Sequence, residues 1–177
     1  MIATMLLATS MAANVPACSA EKAIYALRGT PDVTAGFARQ RFQVNFSSDL
    51  FFWVEVEGRR RWFSFNAPNG YGGVYLTPDR DPATLTEADQ EAGAPDKAEE
   101  PPQVDFDMFD ANYDVIDAVP QADSAAPAHL FARGLGPLLW YNPAAAANGD
   151  STATAVSIPI AMYDLTRCEA AGKNSGG

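Results

Sequence analysis

Two aromatic, β-prone runs separated by a glycine turn constrain the fold more than any other feature of the chain. The runs span 50–56 and 59–65, and Glu57 and Gly58 lie between them. Runs of this kind around a glycine turn are typical of an antiparallel β-hairpin, and a two-residue turn fixes its register. A turn one residue longer would shift every pair. The predicted register sets Val56 opposite Arg59, Glu55 opposite Arg60, and Trp53 opposite Trp62.

Both faces of this hairpin are apolar away from the turn. This pattern predicts burial on both sides, as in the central strands of a sandwich or in a sheet covered by a helix. An exposed aromatic face that binds a ligand is the alternative, and large exposed apolar patches are uncommon on monomers. One face carries Leu50, Phe52, Phe63 and Phe65, and the other carries Phe51, Trp53 and Trp62.

The rest of the chain contains shorter β signals. Apolar residues alternate with aspartates over 104–108, which predicts a strand with its apolar side chains inward. Turn residues follow, so a second hairpin with 115–119 is predicted. Further strands are predicted at 74–78 and at 156–165, where Pro159 indicates an edge or a bulge.

Helical signals are few and short. Residues 84–87 match a capping box and predict a short helix over 87–92, while 138–141 could form one helical turn after Pro137. A length of 177 residues suits a single domain. The predicted fold class is mainly β, an antiparallel sheet or small β-sandwich with one or two short helices.

The two ends of the chain indicate export. Residues 1–17 carry no charge and include an apolar run too short to span a bilayer, which predicts a cleaved signal and no transmembrane segment in the mature chain. A buried N-terminal strand or helix of a cytosolic protein is the alternative. Cys18 and Cys168 are the two cysteines, and an even number after a signal predicts a disulfide. Residues 15–18 also resemble a degenerate lipobox that would lipidate Cys18, but Pro16 makes the match poor.

The net charge of −10 argues against nucleic acid as a partner, since the field of the protein repels phosphate. The segment 79–123 holds 14 acidic residues against two basic ones. Such a segment is usually a solvated surface, and a docking surface for a cationic partner or calcium is the alternative. Within a domain spanning 18–168, we predict a mobile acidic loop at 79–103, followed by a disordered tail at 169–177.

No motif indicates catalysis. His129 is the single histidine, which excludes zinc sites built on several histidines, and no nucleophile-elbow pattern lies near it. We predict no catalytic residue, no metal and no cofactor. The densest oxygen cluster lacks the central glycine and closing glutamate of an EF-hand loop, and its residues also favour turns. That cluster consists of Asp107, Asp110, Asn112 and Asp114.

Residues 59–61 are three consecutive arginines in an otherwise acidic protein. Arg59 and Arg61, together with Trp62 and Tyr71, are the predicted binding residues, because guanidinium forks and aromatic rings can bind an acidic glycan or a carboxylate. A solvated strand edge, whose charge deters the addition of another strand, is the alternative interpretation.

These observations predict an exported, periplasmic or extracellular protein of the cell envelope or the secreted fraction. Its predicted role is binding or structural and non-enzymatic, with another envelope protein or a glycan as partner. The alternative is an envelope hydrolase that uses carboxylates or His129 in a cleft lined by the aromatic hairpin. A concave pocket holding a mutually bonded acid or His129 would favour the hydrolase, and a flat aromatic patch would favour binding.

Overall fold

The computed structural model describes residues 17–45, 47–68, 73–92 and 101–169. Within them, eight strands dominate and the helices are short, so the prediction of a mainly β protein is confirmed. Two 3₁₀ turns span Ala20–Lys22 and Pro82–Thr84. The strands are β1 (Ala23–Leu27), β2 (Thr30–Arg39), β3 (Leu50–Val56), β4 (Arg59–Asn66), β5 (Tyr75–Asp79), β6 (Val104–Phe109), β7 (His129–Arg133) and β8 (Tyr163–Cys168), and the helices are α1 (Glu87–Ala92), α2 (Leu135–Tyr141) and α3 (Pro143–Ala146).

The strands form one antiparallel sheet that closes into a barrel. Each strand pairs with its neighbour in the chain, and β8 returns to pair with β1, from Ala23 opposite Cys168 to Leu27 opposite Tyr163. Closure removes the exposed edges, with their unpaired backbone groups, that an open sheet would have. The predicted antiparallel sheet is therefore present in a more specific form than an open sheet or a sandwich.

The aromatic hairpin corresponds to β3 and β4 and has the predicted register. Trp53 lies opposite Trp62, and Glu55 lies opposite Arg60. The turn residues Glu57 and Gly58 have φ of 52° and 71°. Positive φ at both central positions is the geometry of the two-residue turn that matches the twist of paired strands.

The inward side chains pack the barrel with aromatic rings. An eight-stranded barrel is just wide enough for side chains to fill it. The ring centroid of Phe52 lies 5.1 Å from that of Phe106 and 6.4 Å from that of Tyr163, and the centroids of Phe37 and Phe65 are 6.0 Å apart. All five side chains are buried. Each such ring pair contributes about 0.5–1.5 kcal/mol to stability beyond the burial of its apolar area. These buried and mutually contacting rings form the core of the described barrel.

Strand β3 is buried on both faces, as predicted. Its outward-facing residues Phe51 and Trp53 are only 0% and 5% exposed. The indole of Trp53 lies against Gly36 of β2, where an added Cβ would come within 2.6 Å of the ring. The indole N–H donates to the carbonyl oxygen of Phe37 at 3.3 Å, and the guanidinium of Arg60 lies 4.0 Å above the ring. A glycine beneath the ring and an arginine above it thus bury an outward-facing tryptophan.

The predicted second hairpin is wrong in its second strand. Strand β6 matches the predicted strand at 104–108, but it pairs with β7 and not with 115–119. Val115 forms only an isolated bridge with Phe109, and the Ile116 N–H donates to the Met108 carbonyl at 2.8 Å. The chain turns locally there without forming a strand, and the partner of β6 comes from further along the chain.

The predicted C-terminal strand at 156–165 is partly wrong, because β8 begins at Tyr163. Pro159 lacks the N–H that a ladder needs, and the residues around it form no strand. They lie beside α2 instead, where the Val156 N–H donates to the Leu139 carbonyl at 3.2 Å. As predicted, the strand leads directly into Cys168.

The predicted helix over 87–92 is α1, but its cap differs from the prediction. The Thr86 N–H and hydroxyl both bind the Asp89 carboxylate, at 2.8 and 2.6 Å, so the capping box begins at Thr86 and not at Thr84. The predicted turn at 138–141 lies within α2, whose leucines join the barrel core after β7. None of the helices in the described segments has the length and apolar character needed to cross a membrane.

The predicted disulfide joins Cys18 to Cys168, with 6.0 Å between the Cα atoms. Since Cys168 pairs with Ala23, the bridge lies at the seam where β8 meets β1. Most of the predicted signal (1–16), part of the predicted acidic loop (93–100) and most of the predicted tail (170–177) lie outside the described residues.

Removing the bridge should destabilise the barrel. The bond closes a loop with a sequence separation of 150, for which chain entropy gives a ceiling of about 5 kcal/mol. We expect the Cys18→Ser, Cys168→Ser double variant to lose about 2–5 kcal/mol of unfolding free energy, measured by urea denaturation. Wild-type protein treated with a reductant should lose a similar amount of stability and controls for the effect of the serine substitutions. Equal stability of all three would contradict a structural role for the bridge.

Candidate functional site

The four predicted binding residues do not form one site. Alternation along β4 sets Arg59 and Arg61 on the side of the core-facing phenylalanines and Trp62 on the outer side. The Arg59 guanidinium donates to the Thr154 hydroxyl at 2.8 Å, so it holds the segment that follows α3. Tyr71 lies outside the described residues.

Arg61 and Trp62 do meet at an open cleft of about 450 Å³. Strand β4 contributes Arg60, Arg61 and Trp62, and the chain at the end of β5 contributes residues 79–81. The loop 147–150 after α3 forms another wall. The cleft therefore lies at the barrel end where the β3–β4 turn and the segment after α3 meet.

The guanidinium groups of the cleft differ in their partners. Arg60 binds Glu55 at 2.9 Å, and Arg80 binds Asp89. Within the described part of the chain, no carboxylate lies within 4.0 Å of the Arg61 guanidinium, and its buried Nε atom has no hydrogen-bond partner. Its Nη1 atom donates to the Arg60 carbonyl oxygen at 3.4 Å. Arg61 is therefore the arginine of this cleft that is engaged by a backbone carbonyl and not by a carboxylate, which leaves it the best placed of the three to bind an acidic ligand.

The acidic residues of the cleft are engaged by donors in their own loops. The hydrogen bond from the Thr152 hydroxyl is the main cause that lowers the pKa of Asp150. The charge of Arg61 also contributes to lowering this pKa, so Asp150 interacts with Arg61 through space although it is not within ion-pair distance. Asp79 accepts the Arg80 N–H at 2.8 Å, Asp81 accepts the Ala83 N–H at 2.8 Å, and Asp150 accepts the Thr152 N–H and hydroxyl at 2.9 and 2.7 Å.

A second constellation surrounds His129 on the outer face of the barrel. Its Nδ1 atom lies 2.7 Å from an Asp164 carboxylate oxygen. Arg28 binds the same carboxylate through two nitrogens, at 2.9 and 2.7 Å. The Tyr113 ring stacks flat on the imidazole, with centroids 4.3 Å apart and an interplanar angle of 2°, and its hydroxyl accepts from Arg28 at 3.2 Å.

This arrangement orients the imidazole. When the Nδ1–H of His129 donates to Asp164, Nε2 of the neutral ring is left as an acceptor, which is the orientation a general base needs. Hydrogen bonds from Arg28 and then from His129 lower the pKa of Asp164. In the described segments no serine, threonine or cysteine hydroxyl or thiol bonds to His129, and His129 does not line the cleft.

The oxygen cluster after β6 serves its own backbone. One Asp110 carboxylate oxygen accepts the N–H groups of Asn112 and Asp114 at 2.7 and 3.0 Å, which is the geometry of an Asx turn. The residues that the structure describes contain no group of three or more histidine, cysteine or acidic side chains placed to hold a metal ion. These hydrogen bonds support the interpretation that the aspartates and Asn112 stabilise a turn.

Sequence reasoning identified His129 but missed its partners. Arg28 is 136 residues from Asp164 and 85 from Tyr113, and no local motif links them. They meet because β8 pairs with both β1 and β7. Only the strand order of the closed barrel would have pointed to them.

Removing the Asp164 carboxylate should lower stability in a pH-dependent way. The pKa of Asp164 is lowered in the folded state by its hydrogen bonds to Arg28 and His129. The ionised carboxylate therefore stabilises the fold at pH values above the ordinary aspartate pKa of about 3.9, and this stabilisation is lost as the pH falls further. We expect Asp164→Asn to cost about 1 kcal/mol or less at pH 7, because solvent screens the pair, and the difference from wild type to narrow below about pH 4.

Urea unfolding at several pH values measures this difference. Asp117→Asn is the matched control, since Asp117 is exposed and has no hydrogen bond or ion pair in the described segments. If Asp164→Asn loses the same unfolding free energy at pH 7 and at pH 3, the effect does not have an ionic origin.

Comparison of the chain with protein-family models, with curated proteins and with solved structures gave no match. The cleft and the His129 constellation must therefore be interpreted from their own chemistry.

Proposed function

We propose that this chain is an exported, non-enzymatic binding protein of the cell envelope or the secreted fraction, and that the cleft at Arg61 and Trp62 takes its ligand. The single observation that carries the proposal is the Arg61 guanidinium, which lines the cleft without a carboxylate partner in the described segments. A ligand carboxylate bound there would give Arg61 the close ion pair that no described carboxylate makes with it.

The packed interior supports a site on the surface. Phe52 and Tyr163 are fully or almost fully buried within the ring cluster, so these inward side chains are covered by protein and not by solvent. We therefore place the ligand on the outside of the barrel wall. The cleft offers a concave shape, a guanidinium and the ring of Trp62 in one place.

The cleft also indicates the class of ligand. Its three arginines face three aspartates, so its charge is balanced and a densely anionic polymer would gain little. One carboxylate on a ring bearing hydroxyl groups fits better, because Arg61 can bind the carboxylate while Trp62 stacks on the ring. The proposed ligand is therefore a sugar acid, free or within an envelope glycan.

Export rests on the disulfide. A bond between Cys18 and Cys168 is stable in an oxidising compartment and is rare in a reducing cytosol. The bond supports the periplasm or the extracellular medium as the location. Lipidation of Cys18 is the less favoured alternative, because a lipidated Cys18 could not pair with Cys168. Free thiols in protein recovered from its native cells would argue against export.

Replacing Arg61 should abolish most ligand binding. We expect galacturonate, which carries one carboxylate, to bind in isothermal titration calorimetry and Arg61→Gln to weaken binding about 10- to 100-fold, the value of a charge-assisted hydrogen bond. Trp62→Ala should also weaken it. Arg59→Gln is the matched control, because its guanidinium binds Thr154 and does not line the cleft.

Galactose, the neutral sugar with the same ring, separates carboxylate recognition from general sugar binding. It should bind much more weakly than galacturonate. Equal binding of both sugars, or equal affinity in wild type and Arg61→Gln, would sink the proposal.

An envelope hydrolase is the second candidate, and the contact between His129 and Asp164 is the observation that favours it. Without a nucleophile bonded to His129 in the described segments, the chemistry open to the pair is general-base activation of a water molecule by Nε2. The absence of His129 from the lining of the cleft makes this candidate weaker than binding.

Replacing His129 tests the hydrolase. If the pair is catalytic, a panel of chromogenic ester, phosphate and glycoside substrates should contain one that wild type cleaves, and His129→Ala should slow that cleavage about 100-fold or more. Tyr141→Ala, which changes an exposed side chain elsewhere, should leave the rate unchanged. Full activity in His129→Ala, or no cleavage by wild type, would exclude this role.

A further inference from the structure

The loop that follows β6 presents an aromatic ring to solvent in a fixed position. Tyr113 is 51% exposed and its neighbour Val115 is 67% exposed. One face of the Tyr113 ring rests on His129, and its hydroxyl binds Arg28, so the other face is left to the solvent. The loop itself is closed by two hydrogen bonds of 3.0 Å, from the Asp110 N–H to the Asp114 carbonyl oxygen and from the Asp114 N–H to the Asp110 carboxylate. An exposed ring held this way loses little conformational freedom when a partner binds it.

The backbone of Tyr113 is in a conformation that a bulky residue rarely adopts. Its φ is 66°, in the left-handed region that glycine and asparagine occupy at a lower cost. Asn112, which would suit that position better, lies one residue earlier in the chain. The contacts with His129 and Arg28 hold this strained residue in place, and they leave the second face of its ring free to contact a partner.

The surroundings of this apolar centre are acidic. The stretch 104–119 contains five aspartates and no basic residue. Asp114 and Asp117 are exposed beside Tyr113 and Val115. Arg28, which bonds to the Tyr113 hydroxyl, is paired with Asp164, and Arg133 lies 3.5 Å from Asp107. An exposed aromatic and aliphatic centre with a charged rim has the anatomy of a protein interface.

We infer that the surface formed by Tyr113, Val115, Asp114 and Asp117 docks a basic protein partner. The partner would present apolar side chains to the tyrosine ring and lysine or arginine side chains to the aspartates. Charge complementarity selects this partner over a second copy of the chain, because two copies would bring like-charged rims together. This docking surface is separate from the cleft at Arg61 and does not depend on the ligand proposed there.

Peptides of defined charge test the inference. A peptide that alternates lysine and leucine should bind the full chain and shift the backbone amide signals of residues 110–117 in a nuclear magnetic resonance titration. The matched glutamate and leucine peptide should not bind. Added salt should weaken binding, since it screens the aspartate rim. Tyr113→Gly should bind the peptide at least about 10-fold more weakly. Its melting temperature should stay similar, because the loss of the ring contacts is offset by the relief of the strained backbone.

Further variants separate the contributions. Val115→Ser should also weaken binding without touching the stacked ring, and the Asp114→Asn, Asp117→Asn pair should reduce both binding and its salt dependence. Tyr141→Gly removes another exposed tyrosine and should bind as wild type does. Three results would each overturn the inference: wild-type affinity in both Tyr113→Gly and Val115→Ser, equal binding of the acidic peptide, and self-association in sedimentation velocity that Tyr113→Gly abolishes.

Discussion

The pairing of β8 with β1 is the interaction on which the rest of the structure depends. It converts a meander of neighbouring strands into a closed barrel, so that each described strand pairs with a strand on both sides, although the β5–β6 and β7–β8 junctions are only two residue pairs long. Closure also turns the inner faces of all strands into one core, in which rings from β3, β6 and β8 touch one another. The disulfide lies at this seam and links the chain before β1 to the end of β8. The same pairing brings Arg28, which follows β1, next to Asp164 of β8.

Both proposed binding surfaces lie on the outside of the barrel. The structure separates two surfaces by their chemistry. The cleft at Arg61 has balanced charge and an arginine without a carboxylate partner in the described segments, which suits a small ligand with one acidic group. The loop at Tyr113 has an apolar centre and an acidic rim, which suits a basic protein. Trp53 shows that an outward-facing aromatic residue need not be a binding residue, since Gly36 and Arg60 bury it.

Much of the local structure could be predicted from the sequence, because it depends on short-range signals. The β3–β4 register follows from one turn and from cross-strand pairs close in the chain. The position of α1 was also predicted, although its capping box begins at Thr86 and not at Thr84. Long-range pairing could not be predicted. A local turn after Asp110 made 115–119 resemble a return strand, although β6 pairs with β7. Strand β2 was missed because glycine and proline interrupt its pattern. The binding residues were chosen by residue type, and alternation along β4 then separated Arg59 from Trp62.

Since neighbouring strands run in opposite directions, the end of the barrel that holds the β3–β4 turn is opposite the end where β1 starts and β8 stops. The cleft is at the first end, and Cys18 and Cys168 are at the second. Any tether joined to the chain beside either cysteine would therefore hold the barrel by its far end and leave the cleft facing the surrounding medium.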